Sequence, residues 1–329
     1  MAIRMRPARR WVVESPIAGP LITLVAVFVL FALFVPNFFT MRSISGIVNA
    51  ATITGVITIG ITMLMIAGEF DLSVGPMMAM GGFLYGMNSV EGGSLPLAII
   101  LALLVPGFMG AINGFIVTRT LIPSFITTLS TMFIFRGIVW LLSGGQMLQT
   151  IEEVWIYQAL NGRLMFLANA IKDANFRLSA VWLLVLVVLF QYVLVRTKFG
   201  SHVFATGGNE AAAAAQGVNT KRTKMYCFIL SGLLSGFAGI LLFSQFKTIR
   251  IASGAGVELQ AIAAAVVGGT LLTGGSGSII GALLGVMTIS MLRTGVVLTD
   301  LIPADNFGAI VGVTIIAAAV FNGWIRGKA

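Results

Sequence analysis

Runs of about 20 apolar residues recur along this chain, and they restrict its fold more than any other feature. A helix needs about 20 such residues to cross the hydrocarbon core of a bilayer, and inside that core only helices and closed barrels satisfy their own backbone hydrogen bonds. About ten such runs can be counted, near residues 17–35, 44–67, 72–90, 94–117, 123–142, 179–195, 223–245, 258–272, 277–297 and 306–323. Only 9% of the residues are charged, against roughly 25% in soluble domains. The expected architecture is therefore an all-α, polytopic membrane bundle of about ten transmembrane helices. Residues 1–16 form a basic cytoplasmic segment in this reading, and residues 17–329 a single transmembrane domain.

Orientation follows from Lys and Arg, which favour cytoplasmic loops. With Arg4, Arg6, Arg9 and Arg10 inside, an even number of crossings also returns Arg119, Arg196, Lys198, Lys221, Arg222, Lys224, Arg326 and Lys328 to the inside. Both termini are then cytoplasmic. Arg42, Arg163, Lys172, Arg177, Lys247 and Arg250 remain outside, while Arg136 and Arg293 fall within apolar runs. The net charge of +9 is thus mostly a topology signal. A nucleic-acid partner would call for a basic, aromatic-bearing soluble surface, and none is present; the expected surroundings are lipid. Paired arginines precede the first run, yet that run is a full crossing long and lacks a small-residue cleavage pattern, so a retained first helix is expected. Cys227 is the single cysteine and His202 the single histidine, which excludes an intrachain disulfide and a thiolate or imidazole metal cluster. The 16 methionines are scattered and read as packing residues.

Two polar stretches stand apart. Residues 143–178 fall outside and offer a docking surface or a lid. Residues 196–224 fall inside and contain "NEAAAAAQG", where Ala favours helix and Gly ends it. A short helix is expected there, with Asn209 near its N-cap and Gly217 at its end. So short a helix is marginal alone and is suited to being gripped by a partner.

Four segments, "AGEFDLSVG", "GGNEAAAAAQGVN", "SGLLSGFAGIL" and "ELQAIAAAVVGGTLLTGGSGSIIGALLG", resemble signatures of the permease subunits of ribose-type ATP-binding-cassette (ABC) sugar importers. The likeness runs from about residue 17 to the end of the chain. Each segment is weakly specific alone; four in order are strong. Glu69 departs from the pattern, since many members carry an uncharged residue there. The resemblance implies a non-enzymatic subunit of a bacterial plasma (inner) membrane importer that forms the path for a monosaccharide or related polyol. It implies ABC ATPase subunits, a second permease copy or paralogue, and an extracytoplasmic sugar-binding protein as partners. No cofactor is implied on this chain, ATP and Mg belonging to the ATPase. In keeping with this, no G-x-x-x-x-G-K-[ST] phosphate loop occurs in the sequence. Gly208, Asn209, Glu210, Ala211, Ala212, Gly217 and Asn219 fall at the family's coupling helix. Arg163, Arg177, Lys247 and Arg250 are candidate cations for docking the binding protein. An ABC permease for branched-chain amino acids or nucleosides is the nearest alternative. An ion-coupled secondary carrier using Glu69 and Asp71 is a more distant one, and a membrane enzyme lacks a nucleophile and base set.

Residues 68–76, "GEFDLSVGP", place two carboxylates between apolar runs. Each costs about 2.5–3.5 kcal/mol at a bilayer centre on insertion scales, so each needs a reason. Asp71 or Ser73 can cap the helix that resumes near Pro76. Alternatively, a broken helix carrying Glu69, Asp71 and Ser73 lines the path and hydrogen-bonds sugar hydroxyls. Both readings stand. Residues 268–275, "GGTLLTGG", echo this segment at equal spacing, so a second broken helix is expected near 268–278, with Gly268, Gly269, Thr273 and Gly275 as candidates.

Overall fold

A computed structural model of the chain describes residues 17–90, 93–299, 308–314 and 316–317. The basic segment 1–16, part of the tenth apolar run, and Arg326 and Lys328 lie outside the described residues. The elements are α1 (Ala18–Phe34), α2 (Met41–Ile66), α3 (Val74–Val90), α4 (Leu95–Arg119), α5 (Ser124–Ser143), β1 (Leu148–Gln149), α6 (Trp155–Asn161), α7 (Met165–Ala170), α8 (Leu178–Arg196), α9 (Lys198–Gly208), α10 (Glu210–Ala215), α11 (Thr220–Phe246), β2 (Thr248–Ile249), α12 (Val257–Val267) and α13 (Ile279–Thr299). Residues 308–314 are also helical. Among the described residues, α2, α4, α5, α8, α11 and α13 are long and apolar enough to cross a membrane, and α1 and α12 are shorter apolar helices. The protein is a polytopic helical membrane protein. At about 1.5 Å per residue, the 11 residues of α12 cover only half of a core about 30 Å thick.

α11 is the axis of the bundle. Its small residues let neighbouring backbones approach, the usual route to tight helix packing where lipid gives no hydrophobic drive. A methyl group on Gly232 would overlap the Pro106 carbonyl of α4, one on Gly236 the Ala102 carbonyl, and one on Gly239 the Met78 carbonyl of α3. This seam buries the C-terminal half of α2, the start of α3 and most of α11 in one continuous core. Large apolar side chains remain exposed on α1, α5 and α8, including Phe34, Phe133 and Leu189, a surface suited to lipid tails.

With 27 residues, α11 is about 40 Å long, so its ends separate the molecule's two polar regions. At the Thr220 end lie α9 and α10. At the Phe246 end, β1 pairs antiparallel with β2, Leu148 opposite Ile249. The segment 143–178 is not an open loop but is folded onto this end. Asn161 Nδ2 donates to the Leu241 carbonyl at 3.3 Å and to Gln245 Oε1 at 3.2 Å. Tyr157 stacks edge-on to Tyr85 and Phe243, and its hydroxyl shares a 2.7 Å hydrogen bond with Ser89.

Candidate functional site

The first break is built by a short local motif. Gly68, in the left-handed region at φ +88°, turns the chain off the end of α2. Its N–H donates to the Met65 carbonyl at 2.9 Å and the Glu69 N–H to the Leu64 carbonyl at 3.0 Å, the reciprocal pair of a glycine helix stop. The chain then runs non-helically to Val74, with the Phe70 N–H donating to Ser124 Oγ at 3.1 Å.

Within this break the two carboxylates part company. Asp71 is fully buried. Its Oδ1 accepts from the Ser73 N–H at 2.9 Å and the Ser73 hydroxyl at 2.6 Å, and its Oδ2 accepts from the Ser231 hydroxyl of α11 at 2.9 Å. Asn113 Nδ2 of α4 donates to Ser73 Oγ at 2.8 Å. Counting along α11, Ser231 lies about 16 Å from the Thr220 end and about 22 Å from the Phe246 end, so α3 starts part-way through the bundle. Ser73 does not cap α3 by accepting from its first turn. Its hydroxyl donates to Asp71, and Pro76, which would present the third amide of the helix, has no N–H.

Glu69 points elsewhere. Its Oε1 lies 2.7 Å from Lys224 Nζ, and the same ammonium lies 2.6 Å from Glu210 Oε2. The break is thereby tied to α10. Burial pushes the Glu210 carboxyl up, but the Lys224 hydrogen bond and charge outweigh it and leave Glu210 below the usual carboxylate range. α10 itself folds as its residues dictate. Asn209 Oδ1 accepts from the Ala212 N–H at 3.0 Å, Gly217 takes φ +85°, and Asn219 Oδ1 accepts from the Arg222 N–H at 3.0 Å to start α11. Glu210, Ala211, Ala212, Ala214 and Ala215 are exposed and Ala213 alone is buried.

The segment 268–278 separates α12 from α13, but it lies at the α9 end of the bundle rather than at the depth of Asp71. Its helix stop repeats the first one: the Gly269 N–H donates to Val266 and the Thr270 N–H to Ala265, both at 2.9 Å. Gly269, not Gly268, is therefore the counterpart of Gly68, one residue off the spacing read from the sequence. Gly268 instead packs α12 against α13, where a methyl group would overlap the Gly281 carbonyl. Thr273 is exposed. Ser278 Oγ accepts from the Gly281 N–H at 2.9 Å, and Gln191 Oε1 of α8 from the Ile279 and Ile280 N–H groups at 2.9 and 3.2 Å. Gly275 joins the breaks, its N–H donating to the Ile66 carbonyl at 2.8 Å. Gly207 packs on the same carbonyl, and a methyl group on Gly275 would sit 2.7 Å from the Gly208 Cα.

A different segment, 250–256, reaches the start of α3. A methyl group on Gly254 would sit 2.6 Å from the Gly75 carbonyl oxygen, and one on Gly75 would sit 2.9 Å from Glu258 Oε2. The N-termini of the short helices α3 and α12 thus meet inside the bundle. Arg136 of α5 holds this segment, Nη1 donating to the Ile251 carbonyl and, at 3.2 Å, to the Ser253 carbonyl. Neither this junction nor Asn113, Ser231 and Lys224 was expected as part of a site. The available signals were the isolated arginine and asparagine inside apolar runs.

The four candidate docking cations are less free than their loop positions suggest. Arg163 Nη2 donates to the Ala174 carbonyl at 2.7 Å and Arg177 Nη1 to the Asn161 carbonyl at 3.2 Å. Lys247 is paired with Glu153, and the Arg250 side chain is exposed. Among the described residues, no group of three His, Cys, Asp or Glu could hold a metal ion.

A family described as branched-chain amino acid transport system / permease component matches residues 43–319. The chain belongs to this permease family. The permease is 33% identical over 306 residues to the ribose import permease protein of Bacillus subtilis (strain 168), covering 92% of each chain. It is 32% identical over 307 residues to the autoinducer 2 import system permease protein of Photorhabdus luminescens, covering 93% of this chain and 89% of that one. It is 34% identical over 308 residues to the protein of the same name from Yersinia enterocolitica, covering 93% and 82%. No solved structure is matched. The permease is accordingly the membrane subunit of an ABC importer of the bacterial plasma membrane. It is not the catalytic subunit, and it works with ATPase and binding-protein partners.

Proposed function

We propose that the permease forms the translocation path for a monosaccharide or related polyol handed over by an extracytoplasmic sugar-binding protein. The observation that carries this reading is the likeness to a ribose import permease across 92% of both chains. Two permease copies, or this chain and a paralogue, make the membrane unit, and MgATP is bound and hydrolysed on the ATPase partner. The chain crosses about ten times with both termini inside. Supporting that orientation, the basic cluster of Arg196, Lys198, Lys221, Arg222 and Lys224 falls at the same end as α9 and α10. Segment 196–224 is then the coupling loop, with Gly208, Asn209, Glu210, Ala211, Ala212, Gly217 and Asn219 at the ATPase contact. Segment 143–178 is the outer docking loop. The breaks near 68–76 and 268–278, with Glu69, Asp71, Ser73, Gly268, Gly269, Thr273 and Gly275, line the translocation path or form the helix breaks beside it.

The family description favours a second reading, in which the cargo is a branched-chain amino acid. Proteoliposomes holding the permease with the ATPase and binding protein from its neighbouring reading frames decide between them. MgATP-dependent uptake of a labelled pentose or hexose, with no uptake of leucine, is expected. Uptake of leucine and of none of the sugars overturns the proposal. Glu210→Pro is expected to abolish uptake while the chain still inserts.

A further inference from the structure

We propose that Lys224 is a positioning residue, a charged strut that passes movement of α10 to the first helix break. The proposal rests on the reading of α10 as the ATPase contact. Lys224 Nζ sits between Glu69 Oε1 at 2.7 Å and Glu210 Oε2 at 2.6 Å. The two links differ in kind. The Lys224 and Glu69 side chains are 13% and 11% exposed, while that of Glu210 is 48% exposed. A largely buried pair is little screened by salt, so Lys224–Glu69 is the firm joint; a half-exposed pair is weak, so Lys224–Glu210 is the adjustable one.

The chain geometry beyond Glu69 supplies the rest of the lever. The Glu69 N–H is bonded into the end of α2, and two residues on, Asp71 is hydrogen-bonded to Ser231 part-way along α11. A shift of α10 therefore has a short polar route to the start of α3. Among the side chains of α10 only Ala213 is buried, and a six-residue helix is unstable unless docked, so its side-chain link to the break runs through Glu210 and Lys224.

The test is hydrogen–deuterium exchange on the complete importer in lipid, without nucleotide and with MgATP plus vanadate. In the unaltered permease, nucleotide is expected to change the exchange of amides in both 209–217 and 67–75 by at least threefold. In Lys224→Met and in Glu69→Gln the change in 209–217 should remain while that in 67–75 is lost, and Lys224→Arg should restore it. Glu69→Gln preserves size and shape and keeps the test open if Lys224→Met does not assemble with the ATPase. A response in 67–75 that persists in Glu69→Gln and Lys224→Met overturns the strut. Absence of any nucleotide response at 209–217 in the unaltered importer overturns the reading of α10, and the strut with it.

Discussion

Asp71 and Ser231 are 160 residues apart in sequence and are joined by a 2.9 Å hydrogen bond inside the bundle. Through that bond a non-helical segment is fixed against the longest helix. The Asp71 carboxylate accepts from three donors in all. Asp71→Ala would leave them unpaired in a buried site, where a hydrogen bond to a charged group is worth about 1.5–3 kcal/mol. A loss of about 3 kcal/mol or more is expected. Asp71→Asn keeps an acceptor for Ser73 and offers Ser231 an N–H, so about 1 kcal/mol is expected. Reversible unfolding of the detergent-solubilised permease measures both. Equal losses would assign the stabilisation to the negative charge rather than to the hydrogen-bond geometry.

The α11 seam predicts a contrast among glycines. Gly232→Ala and Gly236→Ala each force a methyl group onto a neighbouring carbonyl, and overpacking of a tight core costs about 1–3 kcal/mol. Gly137 in α5 has no atom within 4 Å of an added methyl group. Gly137→Ala should instead gain up to about 1 kcal/mol from helix propensity. Thermal midpoints of the three variants should fall on opposite sides of the unaltered protein. A lowered midpoint for Gly137→Ala would indicate that this face is covered in the assembled membrane unit.

Arg136 holds segment 250–256 by two backbone carbonyls. Arg136→Met should release that segment, raising amide exchange across 250–256 while α5 stays protected. Loss of stability should be about 2 kcal/mol, and Arg136→Lys should recover part of it. Unchanged exchange in the Met variant would assign the anchoring of this segment to Gly75 and Gly254.

At the Phe246 end, if it is the outer face as proposed, Arg250 is the candidate cation most open to an encounter, because Arg163 and Arg177 donate internally. Arg250→Glu should weaken stimulation of ATP hydrolysis by the binding protein several-fold at low salt and little at high salt, since charge governs encounter and is screened. Arg177→Glu should lower stability first, because it removes the donor to Asn161. A defect for Arg250→Glu that is independent of ionic strength would exclude a steering role.

Glu153 gives a pH signature at the same end. The Lys247 hydrogen bond first, and the Gln158 one second, hold its carboxyl below the ordinary value of 4.5. A lowered folded-state value means that the pair's stabilisation is present above the ordinary value and is lost as pH falls through the lowered one. The pair is exposed, so the effect on overall stability should be small. In Lys247→Met the titration of Glu153, followed by infrared difference spectroscopy, should move up towards the ordinary value. A midpoint that stays low would assign the shift to Gln158.

Sequence alone carried whatever is decided within a few residues or within one helix. Apolar runs announced the membrane class because bilayer thickness sets a minimum length that composition cannot disguise. Asn209 and Gly217 bounded α10 because a cap and a helix stop are local hydrogen-bond motifs. The break after Ile66 was legible for the same reason, in Gly68 and the carboxylates that follow it.

What tertiary structure decided is where those local pieces meet. Nothing near Glu69 or Asp71 distinguishes their partners, because Lys224 and Ser231 belong to α11 and reach them only when that helix docks. The match between 68–75 and 268–275 put Thr273 opposite Ser73, yet the two helix stops align one residue further along, and the second sits at the end of the bundle. Segment 250–256 reads as an ordinary outer loop. It enters the bundle because α12 is too short to span it and because Gly75 and Gly254 let two backbones touch, a fit that depends on contact between distant segments rather than on either sequence.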